Sequence, residues 1–343
     1  MFQSNIPFHR SILRILFSVT IIISACNSPR KATYKTIGSI ERTDPALEEI
    51  ISNDAIVEII ADGFEWSEGP LWVDSHKMLL FSDIPRNSIY KWTEAKGKEL
   101  YLQPSGFTGS GEGGREPGSN GLLLNKKGQL VLCQHGDRQI ALMDAPLDAP
   151  RADYITIANN YQGKKFDSPN DAVYRSNGDL FITDPPYGLP GYIDDTTKAA
   201  PYQGVYKVAV DGTVSLLVDS IKRPNGIAFL PGEKTLIVAN SEAPVLGWYA
   251  FDIATNDSLI NPRMFHDATE AGKTDKGGPD GLKVDSRGNV FATGPGGVWI
   301  FDKNARVLGK ILVPEACSNV ALADNDKTLY ITADMYVLRV KMR

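Results

Sequence analysis

The stretch SPNDAVYRSNGDLFITDPPYG, Ser168 to Gly188, decides the fold. Its interior reads as a hairpin. Ala172-Val173-Tyr174 runs into a Ser-Asn-Gly turn and out along Leu180-Phe181-Ile182-Thr183, apolar and β-branched residues on either side of turn formers. Its beginning is unusual. Pro169, Asn170 and Asp171 stand where a strand starts, and all three residue types are depleted from strands. A carboxamide beside a carboxylate at that place serves either a turn or a site.

The same beginning recurs along the chain. Glu68-Gly69-Pro70 precedes Leu71-Trp72-Val73, and Asn120-Gly121 precedes Leu122-Leu123-Leu124. Asn225-Gly226 precedes Ile227-Ala228-Phe229, Asp280-Gly281 precedes Leu282-Lys283-Val284, and Asn319 precedes Val320-Ala321-Leu322. Counted from Glu68, the intervals are 52, 50, 55, 55 and 39 residues. Most units continue into a second and a third β-rich run, the third ending near an acid, as in Gly247-Trp248-Tyr249-Ala250-Phe251-Asp252. Helical periodicity is scarce, and 31 Gly and 21 Pro punctuate the short runs. A unit of about 40–55 residues holding four short strands is the signature of a propeller blade. Six such units predict an all-β protein, a six-bladed β-propeller over residues 56–343. The spare strand Ile56-Val57-Glu58-Ile59-Ile60 is expected to complete the last blade and lock the ring, leaving no open edge. Two β-sandwiches would not produce one regular series across the whole chain.

In a propeller the innermost strand of each blade lines a central channel. Glu68, Asn120, Asn170, Asn225, Asp280 and Asn319 should therefore converge at its mouth. Each alone reads as a turn former, but six on one axis crowd carboxylates together without need. Two carboxylates and four carboxamides, with no thiol or imidazole, make an all-oxygen set. That chemistry suits one hard divalent cation such as Ca²⁺ or Mg²⁺, and less well Mn²⁺ or Zn²⁺. The expected architecture thus includes a central metal-binding channel.

Glu68-Gly69-Pro70, Ser168-Pro169-Asn170-Asp171, Arg223-Pro224-Asn225-Gly226 and Pro279-Asp280-Gly281 resemble, in order and spacing, the channel motifs of a known family. It comprises gluconolactonase, regucalcin (senescence marker protein) and luciferin-regenerating enzyme, and the resemblance runs from about Ile56 to the C-terminus. It implies a six-bladed propeller that holds a divalent cation, Ca²⁺ first, and hydrolyses sugar lactones. On that resemblance Glu68, Asn225 and Asp280 fall at metal-ligand positions. Asn170 falls at a further polar position, holding metal, substrate or water, with Asp171 expected to point into the blade turn. Asp280 is then the first choice for both ligand and proton acceptor.

Other candidates follow from position. His135, in Cys133-Gln134-His135-Gly136, stands just after a channel-proximal strand and reads either as a second group for proton transfer or as a structural histidine. Asp184, in Thr183-Asp184-Pro185-Pro186-Tyr187, reads as a cap on the Pro-Pro turn or as a channel acid. Tyr187 could pack on a sugar ring. Asn120 is expected as a substrate contact, and Arg115 as another from the loop Pro104–Ser119. The glycine run of that loop lacks the Gly-Lys-Ser/Thr ending and following helix of a phosphate loop.

The N-terminus reads as targeting rather than fold. Residues 1–25 carry His9, Arg10 and Arg14 ahead of the apolar run Ile15–Ile23 and resemble a lipoprotein signal peptide. Ile23-Ser24-Ala25-Cys26 resembles a lipobox, which implies that Cys26 becomes the lipidated first residue; a plain secretory peptide is the alternative. Residues 26–55 read as a polar tether, partly helical around 45–51. The expected location is the bacterial cell envelope, with the protein lipid-anchored and facing periplasm or exterior. Membrane contact is through the Cys26 anchor only, since no later run is long and apolar enough to span a bilayer. A formal net charge of −5 and the lack of any basic cluster argue against nucleic acid, and a monomer is expected. Cys133 and Cys317 either bridge or remain as two buried thiols.

The function expected is a divalent-metal-dependent hydrolase opening a sugar lactone, a carboxylic ester hydrolase. The alternatives are an esterase or organophosphate hydrolase on the same metal, or a non-catalytic sugar-binding lipoprotein.

Overall fold

The computed structural model describes residues 1–5, 34–111 and 113–343. The signal segment and Cys26 therefore lie outside the described residues, apart from residues 1–5. From Tyr34 to Arg343 the chain forms a single folded unit.

Six antiparallel blade sheets follow one another along the chain, with a two-stranded ribbon of Asn160–Tyr161 and Lys164–Lys165 between the second and the third. Blade 1 is Ser67–Val73, Met78–Asp83, Ser88–Thr93 and Gly97–Leu102. Blade 2 is Ser119–Leu124, Leu130–Gln134, Gln139–Met143 and Tyr154–Ala158, and blade 3 is Ala172–Tyr174, Leu180–Asp184, Gly204–Val208 and Val214–Val218. Blade 4 is Pro224–Phe229, Thr235–Asn240, Gly247–Ile253 and Leu259–Asp267. Blade 5 begins Leu282–Val284, Val290–Gly294, Gly297–Phe301 and Val307–Leu312. Blade 6 has Cys317–Ala323, Thr328–Ala333 and Tyr336–Lys341, then takes Val57–Asp62 as its fourth strand. The ring is closed as the sequence predicts, with the N-terminal strand antiparallel to the C-terminal one.

The core is divided into wedges between blades rather than gathered at one centre. The second strand of blade 1 shows why its sequence is continuously apolar. Leu79 and Phe81 pack into the wedge shared with blade 6, while Met78 and Leu80 pack into that shared with blade 2. A strand buried on both faces needs apolar residues at every position. In blade 2, Leu130 and Leu132 face blade 1, and Val131 and Cys133 face blade 3. Cys133 and Cys317 are both free, buried thiols, which decides between the two readings of that pair.

The segment read as a polar tether contributes to the ring from Tyr34 onward. Lys35–Thr36 adds a fifth strand to blade 6, and Ser39–Arg42 adds a fifth to blade 5. The turn expected around 45–51 is a short 3₁₀ helix, Pro45–Glu49, started by Asp44, whose carboxylate accepts from the Ala46 N–H at 2.8 Å. Leu47, Ile50 and Ile51 fill the wedge between blades 5 and 6.

Candidate active site

Each inner strand of blades 1, 2, 4 and 6 begins with a register shift, at Glu68/Leu71, Ser119/Leu122, Pro224/Ile227 and Cys317/Asn319. Such a bulge re-aims a side chain and ends regular pairing. In blades 3 and 5 the inner strand is only three residues long, and Asn170 and Asp280 stand just before it. This is the physical reason for the strand-averse residues at the six starts. They are placed where the ladder is already interrupted, and their side chains turn toward the axis.

Glycine after the site residue lets the blades close on each other. Gly69 has φ +52°, and a Cβ there would come within 2.0 Å of the Asn120 carbonyl oxygen. A Cβ on Gly226 would come within 2.3 Å of the Asp280 carbonyl oxygen, to which the Gly226 N–H donates at 3.1 Å. Asp280 is thus held by the blade before it, as Asn170 is through the Gly121 N–H at 2.8 Å. Hydroxyls add to this girdle: Ser82 Oγ donates to the Asn120 carbonyl at 2.9 Å, and Thr183 Oγ1 to the Asn225 carbonyl at 2.7 Å.

Five of the six starts line one cavity of about 480 Å³: Glu68, Asn120, Asn170, Asn225 and Asp280. The sixth, Asn319, stands behind Glu68 and donates from Nδ2 to Glu68 Oε2 at 3.2 Å, which also takes the Gly69 N–H at 2.6 Å. Asn225 is oriented by a relay, Nδ2 donating to Ser241 Oγ at 3.0 Å and that hydroxyl to the Pro279 carbonyl at 2.5 Å. The relay leaves Asn225 Oδ1 facing away from it. Asn225 Oδ1, Asn120 Oδ1 and Asp280 Oδ1 are buried and have no hydrogen-bond partner among the described residues.

Burial pushes the Glu68 carboxyl up to about 7, with the charge of Asp171 adding to the effect against the Gly69 N–H. Burial also pushes Asp280 well above the usual carboxylate range, and Glu68 is the leading charge that reinforces this. Two carboxyl groups and unpartnered amide oxygens lining one cavity make a set of acceptors with no ion pair of their own among the described residues. Such a set fits a hard cation, although the described residues hold no cluster of three or more His, Cys, Asp or Glu side chains of the kind that would hold one unaided.

The remaining sequence candidates divide. Arg115 and Tyr187 line the cavity. His135 does not line it. Its side chain is fully buried, with Nδ1 3.5 Å from Oε2 of Glu116, which does line the cavity. Asp184 is a cap: its carboxylate accepts from the Asp167 N–H at 2.9 Å and the Ser168 N–H at 2.8 Å, holding the loop before blade 3. Burial, with the charge of Asp167, pushes that carboxyl up to about 8. Asp171 departs from the expectation that it points wholly into the blade turn. Oδ1 caps the Ala172 N–H at 2.8 Å, but Oδ2 meets Lys283 Nζ of blade 5 at 3.3 Å. Lys283 lines a second cavity of about 640 Å³, whose wall is made by later residues of the inner strands, including Leu71, Leu123 and Val173.

Trp66, Glu116, Tyr192, Arg223 and Ser241 also line the site and carry no role in the sequence reading. Two had a visible signal. Arg223 opens the motif that contains Asn225, and Glu116 follows Arg115. The Arg115 guanidinium stands 5.1 Å from the Tyr192 ring centre and that of Arg223 5.7 Å from it, so both arginines are held against one aromatic face system. Arg223 is also paired with Glu242 at 2.7 Å.

A six-bladed propeller whose inner strands open into one concave, oxygen-lined cavity is the architecture of a protein that handles a small polar molecule. The family described as SMP-30/Gluconolactonase/LRE-like region matches residues 66–334, and the chain belongs to it. A gluconolactonase of Zymomonas mobilis is 35% identical over 337 residues, spanning 95% of this chain and 92% of its own. The structure of a gluconolactonase from Xanthomonas campestris superposes with a TM-score of 0.76 at 26% identity, over 93% of this chain and 100% of that one. Regucalcin from Agrobacterium tumefaciens, a calcium-binding protein, shares the fold with a TM-score of 0.63 at 17% identity, over 83% of this chain and 94% of its own.

Proposed function

We propose that the chain hydrolyses a sugar lactone in this cavity, with one divalent cation, calcium first, held by Glu68, Asn225 and Asp280 and joined by Asn170. The observation that carries the reading is the convergence of buried oxygens without partners beside two carboxyl groups whose pKa values burial raises. Relatives named for lactone hydrolysis support the substrate class.

A cation bound there supplies the charge that keeps both carboxylates ionised and withdraws electrons from the lactone carbonyl. The chain's own residues do the rest. Asn319 and the Gly69 N–H fix the Glu68 carboxylate, and Ser241 fixes the Asn225 amide, so neither reorganises during reaction. Asp280 takes the proton of the attacking water. Asn120, Asn170 and Arg115 offer polar contacts to the sugar hydroxyls, and Tyr187 offers a ring face. The cavity of about 480 Å³ is of the size that encloses a small ligand.

Acid release from glucono-1,5-lactone tests the reading. Turnover should vanish with a chelator and return with Ca²⁺ or Mg²⁺. No turnover of any sugar lactone with any divalent ion would sink it. Faster turnover of aryl esters or phosphotriesters on the same preparation would favour a different hydrolase. Ligand binding unaffected by Asp280→Asn, with no turnover to lose, would favour a sugar-binding protein. The protein acts as a monomer anchored through lipidated Cys26 in the cell envelope. Cys26→Ser should release it from the membrane fraction still folded, and wild type that is already soluble would refute the anchor.

A further inference from the structure

The cavity wall holds a third carboxyl group that the scheme above does not use. Glu116 comes from the loop between blades 1 and 2, and its side chain is 20% exposed. Behind it, His135 is completely buried at the end of the second strand of blade 2. Neither of its ring nitrogens has a hydrogen-bond partner among the described residues. Leaving a buried imidazole unpaired is costly, so its position calls for a compensating role. The backbone fixes it there. The His135 N–H donates to the Gly118 carbonyl at 3.2 Å, and Gly188 leaves the space its ring occupies, since a Cβ on Gly188 would come within 2.6 Å of His135 Cβ. The carboxyl group facing it is that of Glu116, with Oε2 at 3.5 Å from Nδ1. That distance is loose for a hydrogen bond, as catalytic pairs often are before substrate closes the site.

Lactone opening has a second proton requirement. The ring oxygen leaves as an alkoxide, a poor leaving group unless it is protonated as the bond breaks. Asp280 accepts a proton from water and does not supply this one. Resting on the lactone-hydrolase reading, we infer that Glu116 is the acid that protonates the departing ring oxygen, and that His135 positions it. Glu116 and Asp280 face the same cavity, and the charge of Glu116 is felt at Asp280, so the two carboxyl groups work on one bound molecule.

The step balances. The oxygen of water bonds to the carbonyl carbon and its proton passes to Asp280. The carbon to ring-oxygen bond then breaks with its electron pair going to oxygen, which takes the proton that Glu116 shares with His135 Nδ1. The new carboxylic acid ionises, Asp280 gives up its proton to the water that refills the cavity, and Glu116, which also lines the cavity, takes one back from that water. The net change is lactone plus water to hydroxycarboxylate plus one proton.

Leaving-group dependence separates this role from a structural one. The substrates are glucono-1,5-lactone, which expels an alkoxide, and dihydrocoumarin, whose phenol leaves unaided because its pKa is near 10. Glu116→Gln should lower kcat about 100-fold on the sugar lactone, with KM little changed, and less than about fivefold on dihydrocoumarin. Glu116→Asp, which keeps the acid, should recover most of the loss. His135→Asn should show the same selectivity at about tenfold, with an unchanged circular dichroism spectrum. Equal losses on the two lactones, or a change in KM alone, would overturn the role of Glu116 while leaving the hydrolase intact. Wild type that opens neither lactone would overturn the hydrolase reading and this role together.

Discussion

Asp171 shows how a residue outside the cavity wall sets the properties of one. It is 3% exposed, caps its own strand, and meets Lys283 from two blades away. Its charge pushes both Glu68 and Asp280 up, whereas Lys283 pulls Glu68 down. The pair therefore acts on the site in opposite directions. Asp171→Asn should weaken Ca²⁺ affinity, and Lys283→Met should strengthen it, each by about tenfold, or ~1.4 kcal/mol, a modest share of what charges at this range exert. Calorimetric titration of chelator-treated protein at one pH reads both. Shifts of the two variants in the same direction would show that packing, not charge, links them to the site. Nothing in the local sequence foretells the pair, because 112 residues separate its members. Asp171 is legible only as the neighbour of Asn170.

At the scale of the strand, the decisive feature is the site residue at an interrupted ladder, followed by glycine in four of the six blades. The turn between the first two strands of blade 2 supplies a control. Gly128 has φ +73° and open space around its missing side chain, whereas Gly69 has φ +52° and the Asn120 carbonyl against it. Gly128→Ala should cost only the left-handed backbone strain, about 1–2 kcal/mol. Gly69→Ala must in addition push blade 2 away, and should cost more than ~3 kcal/mol and displace Asn120. Urea denaturation of the two variants compares them, and equal costs would mean that the blades do not rely on close approach at this point. The six strand starts and their intervals were readable because turn-forming residues at strand starts break a strong statistical rule. Glu116 was not, since it lies in a glycine-rich loop whose path depends on where blades 1 and 2 meet. The strands Lys35–Thr36 and Ser39–Arg42 were equally hidden. They are short and largely exposed, and without an apolar alternation they look like linker until the ring offers them an edge.

For the molecule as a whole, those hidden strands and the 3₁₀ turn extend the closure beyond the one strand expected. Leu47, Ile50 and Ile51 are each no more than 3% exposed in the wedge between blades 5 and 6. Each aliphatic side chain buried there is worth roughly 1.5–3 kcal/mol, so the ring depends on its N-terminal segment as well as on Val57–Asp62.

The closed ring also confines the two carboxyl groups of the site, which couples its stability to pH and to cation. Glu68 moves from an ordinary 4.5 to about 7 on folding, mainly through burial, and Asp280 moves in the same direction. A carboxyl group whose folded pKa exceeds its unfolded one binds its proton more tightly in the folded state. It therefore subtracts stability as pH rises from 4.5 through 7, with the full penalty present above that window. In chelator, the melting temperature should accordingly be lower at pH 7.5 than at pH 5.5 in the share of the profile that Glu68→Gln abolishes. A cation binds the ionised folded form and displaces those protons. At a thousandfold excess over Kd it adds about 4 kcal/mol, so the trend should reverse and the melting temperature with Ca²⁺ should be higher at pH 7.5. Calorimetry at the two pH values, with chelator and with Ca²⁺, gives all four numbers. A melting temperature that ignores Ca²⁺ at pH 7.5 would mean that the buried oxygens of this cavity do not hold that ion.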